Sequence, residues 1–394
     1  MKISLPGPDG TLASYALHGP GAFRPAAAPT RFNRIAYSAA HVVADASAAG
    51  NPWLDCALDW DTTIAYRQRL WGMGLGVAEA MDTAQRGMGL DWPTSLELIR
   101  RSLDAARDVP GALVASGCGT DHLAPDAAQS VDDVIRAYEE QMAAIERLGG
   151  RLIVMASRAL ARVARSPADY ERVYDRVLSQ AKQPVILHWL GDMFDPALKG
   201  YWGSDELDTA MATALGIIEA HAAKVDGIKI SLLDKDKEVA MRRRLPANVR
   251  MYTGDDFNYA ELIAGDGVGA SANRQHSDAL LGIFDAIAPA ASAALAALAS
   301  GDAMRFHQIL EPTVPLSRHI FQAPTRFYKT GVVFMAWLNG HQEHFVMVGG
   351  QQSARSLPHF AELFRLADAA GLLEQPELAV RRMKTLLAWH GVDG

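Results

Sequence analysis

Short apolar runs alternate with helix-period stretches along most of this chain. Eight such runs occur from Arg34 onward: Ile35–Ser38, Gly76–Met81, Ala112–Ser116, Arg151–Ala156, Pro184–Leu190, Gly227–Leu232, Val249–Thr253 and Gly267–Ser271. Each ends in polar residues or glycine, and helical patterns separate them. In the first half, Leu96, Ile99 and Leu103 share one helical face, and Val134, Tyr138, Met142 and Ile145 share another. Start signals accompany these helices. Thr94-Ser95-Leu96-Glu97 reads as a capping box, Ser130 through Asp133 opens the next helix, and Ser166-Pro167-Ala168-Asp169 joins an N-cap to a first-turn proline. Strand–helix alternation of this kind builds parallel βα units, and eight units close a (β/α)8 TIM barrel. The barrel is expected over residues 34–289. A Gly-, Pro- and Ala-rich arm precedes it over residues 1–33, with room for a short hairpin, and a helical extension follows over residues 290–394.

With 394 residues, 49% of them hydrophobic, the chain has ample material for a barrel core. A net charge of −7 argues against nucleic acid or an anionic membrane as the main partner. The two cysteines, Cys56 and Cys118, form neither a disulfide framework nor a metal-binding pair, which suits a reducing compartment. Neither a signal peptide nor a long uncharged apolar run is visible, so a cytoplasmic protein is expected.

Candidate chemistry gathers where a barrel places it, at the C-terminal ends of the strands. Lys229 lies in Val225-Asp226-Gly227-Ile228-Lys229-Ile230-Ser231, a run that reads as a buried strand. Burial opposes the charge of a lysine, and a neutral amine attacks carbonyl carbon to form a Schiff base. His188 ends the preceding strand, and a histidine there suits proton transfer near neutral pH. The other strand ends supply Glu79, Asp82 and Thr83; Gly117 and Thr120, with Asp121 and His122 beyond; Asp255 and Asp256; and Asn273.

Four segments together carry a family resemblance. Ser116-Gly117-Cys118-Gly119-Thr120, Gly227-Ile228-Lys229, Thr253-Gly254-Asp255-Asp256 and Gly267-Val268-Gly269-Ala270-Ser271-Ala272-Asn273 resemble, in order and spacing, motifs of the dihydrodipicolinate synthase / N-acetylneuraminate lyase superfamily. The chain looks like a divergent branch of it. The resemblance implies a class I aldolase-type barrel with a C-terminal helical region and a homo-oligomer, dimer or tetramer. It also implies Lys229 as the imine-forming residue, with no cofactor. The chain departs from that pattern in three places. His188 stands where the family has a proton-relaying tyrosine. Glu79-Ala80-Met81-Asp82-Thr83-Ala84 replaces a turn with two adjacent threonines. Asp192-Met193 occupies the place of an arginine. A pyruvate-type donor would lack its usual holders, which favours a polyhydroxylated or less acidic carbonyl substrate.

The expected function is therefore a lyase of aldolase or dehydratase type. Its small-molecule substrate would be a keto-sugar or sugar-derived keto-acid. Lys229 would form the imine and His188 would act as acid and base, giving a pH–rate limb near neutrality. Glu79, Asp82, Thr83, Gly117, Thr120, Asp255 and Asn273 are the candidates for holding substrate. Two other classes compete. One is a divalent-metal barrel enzyme using Glu79, Asp82, His122, His188 or Asp255; the other is a sugar-binding barrel without chemistry. Asp234 through Glu238 reads as a solvated helix start. His341 and His344 read as surface or inter-subunit residues. Gly349-Gly350 lacks the lysine of a phosphate loop.

Overall fold

The computed structural model describes residues 1–26, 31–267 and 271–393, with the backbone alone for residues 272 and 273. Strands β1 (Lys2–Pro6) and β2 (Leu12–Ala16) pair antiparallel in an N-terminal hairpin. Eight parallel strands then close a barrel: β3 (Ala36–Ala39), β4 (Gly76–Glu79), β5 (Val114–Cys118), β6 (Arg151–Val154), β7 (Val185–Leu190), β8 (Val225–Ser231), β9 (Arg250–Thr253) and β10 (Asp278–Leu281). The closure pairs Ala279 of β10 with Ala36 of β3 on one side and with Thr253 of β9 on the other.

Seven barrel strands coincide with the apolar runs read from the sequence; the eighth does not. Its predicted segment falls largely outside the described residues, at 268–270, and the chain then turns through the short helix Ala272–Gln275. The closing strand is Asp278–Leu281, fully buried. One predicted cap also moves. The helix Trp92–Ala106 is capped by Asp91, whose side chain accepts from the Thr94 amide, so Thr94 lies inside the helix. The capping boxes at Ser130 and Ser166 form.

Period-2 alternation divides each strand between two cores. Tyr37, Ala39, Ala78, Ala115, Ile153, Ile186, Tyr252 and Leu280 form the barrel interior. Their neighbours in sequence, such as Val77, Leu152, Leu187 and Ile228, pack outward against the helical layer. After β10 the chain is helical to Trp389. Within this region the helix Tyr328–Leu338 is buried along its entire length. A helix apolar on all sides belongs inside a protein, and this one starts against the barrel mouth. The N-terminal hairpin is tied to the same region: Asp368 accepts from the Tyr15 hydroxyl and from the backbone amides of His18 and Gly19. Among the described residues no helix is long and apolar enough to cross a membrane.

Candidate active site

The alternation that puts Ile186 and Tyr252 inside the barrel also turns His188, Lys229, Ser231 and Gly254 inward, at the C-terminal ends of β7, β8 and β9. Lys229 is paired in register with His188 on one side and Tyr252 on the other. It is buried, with 7% of its surface exposed. Burial lowers the pKa of its amine; the negative charges of Asp256 and Asp82 pull the other way. Gly254 gives it room. A Cβ at that position would stand 2.7 Å from Lys229 Cε and 2.3 Å from Ser231 Oγ, so nothing larger than hydrogen fits.

Asp256, two residues beyond Gly254, keeps the inward parity. Its Oδ1 accepts from the Ile283 amide at 2.9 Å, and its backbone carbonyl accepts from Ser317 Oγ. Burial raises its pKa to about 7, against the opposing pull of Lys229. Asp255 has the opposite parity and serves the turn, accepting from the Phe257 and Asn258 amides at 2.8 and 3.1 Å and from Asn258 Nδ2 at 2.8 Å. Of this acidic pair, Asp256 is the residue electrostatically linked to the lysine. Sequence reasoning chose Asp255; counting strand parity from Tyr252 would have selected its neighbour.

His188 is buried, and its Nε2 lies 3.3 Å from Ser231 Oγ. Burial, reinforced by the positive charge of Lys229, pushes its pKa well below the usual histidine value. Both effects disfavour the charged form of His188.

The short turn Asp82–Ala84 follows β4 and meets the C-terminal helices. Thr83 Oγ1 is 2.8 Å from the Tyr328 hydroxyl, and the Tyr328 ring stacks on Phe321 at 4.3 Å. Lys329, only 1% exposed, pairs with Asp82 Oδ1 at 3.1 Å; its Nζ also donates to the Arg326 carbonyl at 3.0 Å and approaches Met88 Sδ at 3.3 Å. Burial lowers the pKa of this second lysine too, and Asp82 opposes the shift. A helix outside the barrel therefore supplies two side chains to the mouth. The sequence offered a signal for them: Lys329 is a charged residue in an otherwise apolar helix.

Beside His188 opens a cavity of about 90 Å³, lined in part by Asp82, Arg86, Thr120, Asp121, Arg158 and Asp195. Thr120 Oγ1 and Ser157 Oγ are 2.6 Å apart. Arg86 forms a bidentate pair with Asp121 at 3.0 and 2.6 Å and also donates to the Ala80 and Gly117 carbonyls and to Gln141 Oε1. Arg158 pairs with Asp195.

Three of the sequence candidates have other positions. Glu79 faces away from the barrel interior. Its carboxylate accepts from Arg67 Nη2 and Nε, both at 2.9 Å, from Ser102 Oγ at 2.5 Å and from the Ala80 amide at 2.8 Å, which leaves it no free face for substrate. Gly117 contributes backbone: its carbonyl accepts from Arg86, and a Cβ would come within 2.6 Å of the Ala80 carbonyl oxygen. Asn273 falls in the helix Ala272–Gln275, and its side chain lies outside the described residues. The candidates for a metal centre are not gathered. His122 turns to Gln141 and Glu140, Asp255 caps its turn, and no group of three or more His, Cys, Asp or Glu is placed to hold an ion among the described residues.

A buried lysine near a strand end thus stands at the mouth of a closed eight-stranded parallel barrel, a (β/α)8 architecture. Residues 3–392 match a family described as "Protein of unknown function (DUF993)", and the chain belongs to that family. The barrel is similar to solved structures of the dihydrodipicolinate synthase type. A putative dihydrodipicolinate synthetase from Pseudomonas aeruginosa superposes with a TM-score of 0.61 at 16% identity, over 88% of this chain and 99% of the other. A prophage protein of Escherichia coli belonging to the dihydrodipicolinic acid synthase family, in complex with pyruvate, gives 0.62 at 15% identity, over 92% and 100%. The chloride-inhibited dihydrodipicolinate synthase from Acinetobacter baumannii, complexed with pyruvate, gives 0.60 at 14% identity, over 86% and 99%. No curated protein matches the sequence. At these identities the likeness establishes the fold.

Proposed function

We propose that this protein is an imine-forming lyase, of aldolase or dehydratase type, acting on a keto-sugar or sugar-derived keto-acid through Lys229. The observation that carries the reading is the setting of that lysine: desolvated at a strand end, with Gly254 against its Cε and Asp256 and Asp82 acting on its charge. The neutral amine adds to the carbonyl carbon to give a carbinolamine. Asp256, poised near neutrality, protonates the departing hydroxyl, and water leaves. In the aldolase direction, the Asp256 carboxylate left by that step takes the proton of a hydroxyl on the second carbon from the iminium carbon; the bond between that carbon and the first breaks, an aldehyde is released, and the bond's electron pair enters the iminium to give an enamine. Protonation of the enamine and hydrolysis by water return the ketone and the free lysine. His188, neutral and beside Ser231, orients the reacting chain by hydrogen bonding rather than by changing charge.

Sodium borohydride adds hydride to an imine and fixes it as a secondary amine. Wild-type protein incubated with dihydroxyacetone or fructose and then reduced is expected to gain one adduct by intact mass, mapped to Lys229 by peptide analysis. Lys229→Ala is expected to keep the circular dichroism spectrum and form no adduct. An adduct of equal yield on the Lys229→Ala protein would remove Lys229 from the mechanism.

A further inference from the structure

The cations at the barrel mouth show what the site rejects. Lys329 has three N–H donors, and three acceptors surround its Nζ: Asp82 Oδ1, the Arg326 carbonyl and Met88 Sδ. Arg86 has five donors, and all five are directed at protein acceptors: two at Asp121, one each at Ala80 O, Gly117 O and Gln141 Oε1. Arg158, which also lines the cavity, donates from Nε to Asp195. Beside Lys229 itself, the charges that act on the amine are the carboxylates of Asp256 and Asp82. A carboxylate arriving next to the imine carbon would therefore meet two acidic side chains and a lysine whose donors are already taken. The cavity beside His188 instead sets a few polar groups, Asp82, Arg86, Asp121 and the Thr120 hydroxyl, among apolar side chains such as Leu123, Met155 and Leu190, a lining that suits an uncharged chain bearing hydroxyl groups.

We infer that the site takes an uncharged hydroxy-ketone, and that the Asp82–Lys329 ion pair, contributed in part by the C-terminal helices, turns α-keto acids away. The inference rests on the imine reading of Lys229 and narrows its substrate class. Asp82 supplies the repulsive charge and at the same time occupies the cation that would otherwise anchor a carboxylate. Specificity by an unfavourable contact with the wrong ligand needs no additional contact with the right one.

The experiment compares dihydroxyacetone with pyruvate, probes of equal carbon number that differ in charge, at equal concentration with borohydride and intact mass as readout. The wild type is expected to trap dihydroxyacetone over pyruvate by roughly tenfold or more. Pyruvate trapped on Lys229 as well as or better than dihydroxyacetone overturns this inference and leaves the imine reading standing. Absence of any adduct with dihydroxyacetone, fructose and pyruvate overturns both. Asp82→Asn frees Lys329 and removes the repulsive charge, so its pyruvate-to-dihydroxyacetone adduct ratio is expected to rise by about tenfold. An unchanged ratio in a variant with the wild-type thermal transition also overturns the inference. The wild-type ratio decides the question if that variant does not fold.

Discussion

Removing Glu79 tests whether the first acidic strand end serves the fold or the substrate. The side chain and its partner Arg67 are both fully buried. Glu79 accepts two hydrogen bonds from the guanidinium, one from Ser102 and one from the Ala80 amide. Arg67 also donates to the backbone carbonyls of His41 and Thr63, so the pair ties the end of β4 to the loop after β3 and to the helix Trp60–Gly72. Glu79→Ala leaves a guanidinium buried with carbonyl partners only. Breaking a buried pair from one side costs about 3–5 kcal/mol, most of it the penalty of the orphaned charge. For a chain of 394 residues, an unfolding entropy of about 2.1 cal/mol/K per residue gives roughly 0.8 kcal/mol/K, so the melting temperature is expected to fall by about 4–6 °C.

The assay is thermal unfolding of Glu79→Ala together with a four-member cycle: wild type, Glu79→Leu, Arg67→Met, and the double variant Arg67→Met/Glu79→Leu. An apolar pair in place of the ions removes both desolvation penalties, so the double variant is expected to lose less than the two single variants combined, with a coupling of about 2–3 kcal/mol. Imine trapping by folded Glu79→Ala, measured well below its transition, is expected to stay within about twofold of wild type, because surface away from the mouth carries the change. A melting temperature unchanged within about 1 °C, or single effects that simply add, would refute the structural account. Loss of trapping at an unchanged melting temperature would restore Glu79 as a substrate contact.

Two further variants probe the lysine's surroundings. Asp256, raised to about 7 by burial, is protonated below that pH and ionised above it, so trapping by the wild type is expected to slow as pH rises through about 7, and Asp256→Asn is expected to flatten that limb. The same raised pKa makes the native state hold a proton that the unfolded chain has released. The contribution of this group to stability is therefore full below about pH 4 and lost as pH rises through about 7, and urea titrations of wild type and Asp256→Asn are expected to diverge in that sense. Gly254→Ala places a Cβ 2.6 Å from the Ile230 carbonyl oxygen and 2.7 Å from Lys229 Cε. It is expected to lower stability by about 1–3 kcal/mol and to reduce trapping, and a variant with wild-type melting and trapping would show that the close approach does not constrain the lysine.

The sequence was informative where hydrophobicity changes abruptly and misleading where it does not. Seven strands end in glycine or polar residues before an amphipathic helix, and these breaks located them. The eighth, Asp278–Leu281, runs through Gly282 into the apolar segments Ile283–Ala286 and Ala288–Ala299. With Gly282 as its one break before that apolar stretch, the four-residue strand merged with the helical run, and the Gly267–Ser271 run took the assignment instead. Lys229 stood out because a charge inside an apolar strand is costly. Lys329 met the same test in the helix Tyr328–Leu338, but its helix lay outside the expected barrel and no sequence rule brings it to Asp82. The roles of Glu79 and Asp255 depended on which way a strand-end carboxylate turns. Parity decides that question once one inward residue is fixed, and it is the closed barrel that shows Tyr252 facing in.

The charges at the mouth also bear on why a lysine there can be both buried and reactive. Lys229, Lys329, Asp82 and Asp256 are balanced in formal charge, and burial disfavours the charged form of His188. Lys329 pairs with Asp82, and in the proposed mechanism Lys229 and Asp256 share the remaining proton. With that proton on Asp256 the amine is a nucleophile and the carboxyl is an acid, the two forms that carbinolamine formation and dehydration require. Dehydration moves the proton from Asp256 to the leaving water and leaves a fixed positive charge on the iminium nitrogen. The carboxylate generated in that step then faces the new cation. The arrangement of charges thus favours the protonated imine over the free lysine, and it does so before substrate arrives, with groups already fixed by Ile283, Ser317 and Lys329. Because Lys329 comes from the C-terminal helices, the barrel alone does not complete this balance; in the proposed mechanism the helical region takes part in the chemistry at the mouth.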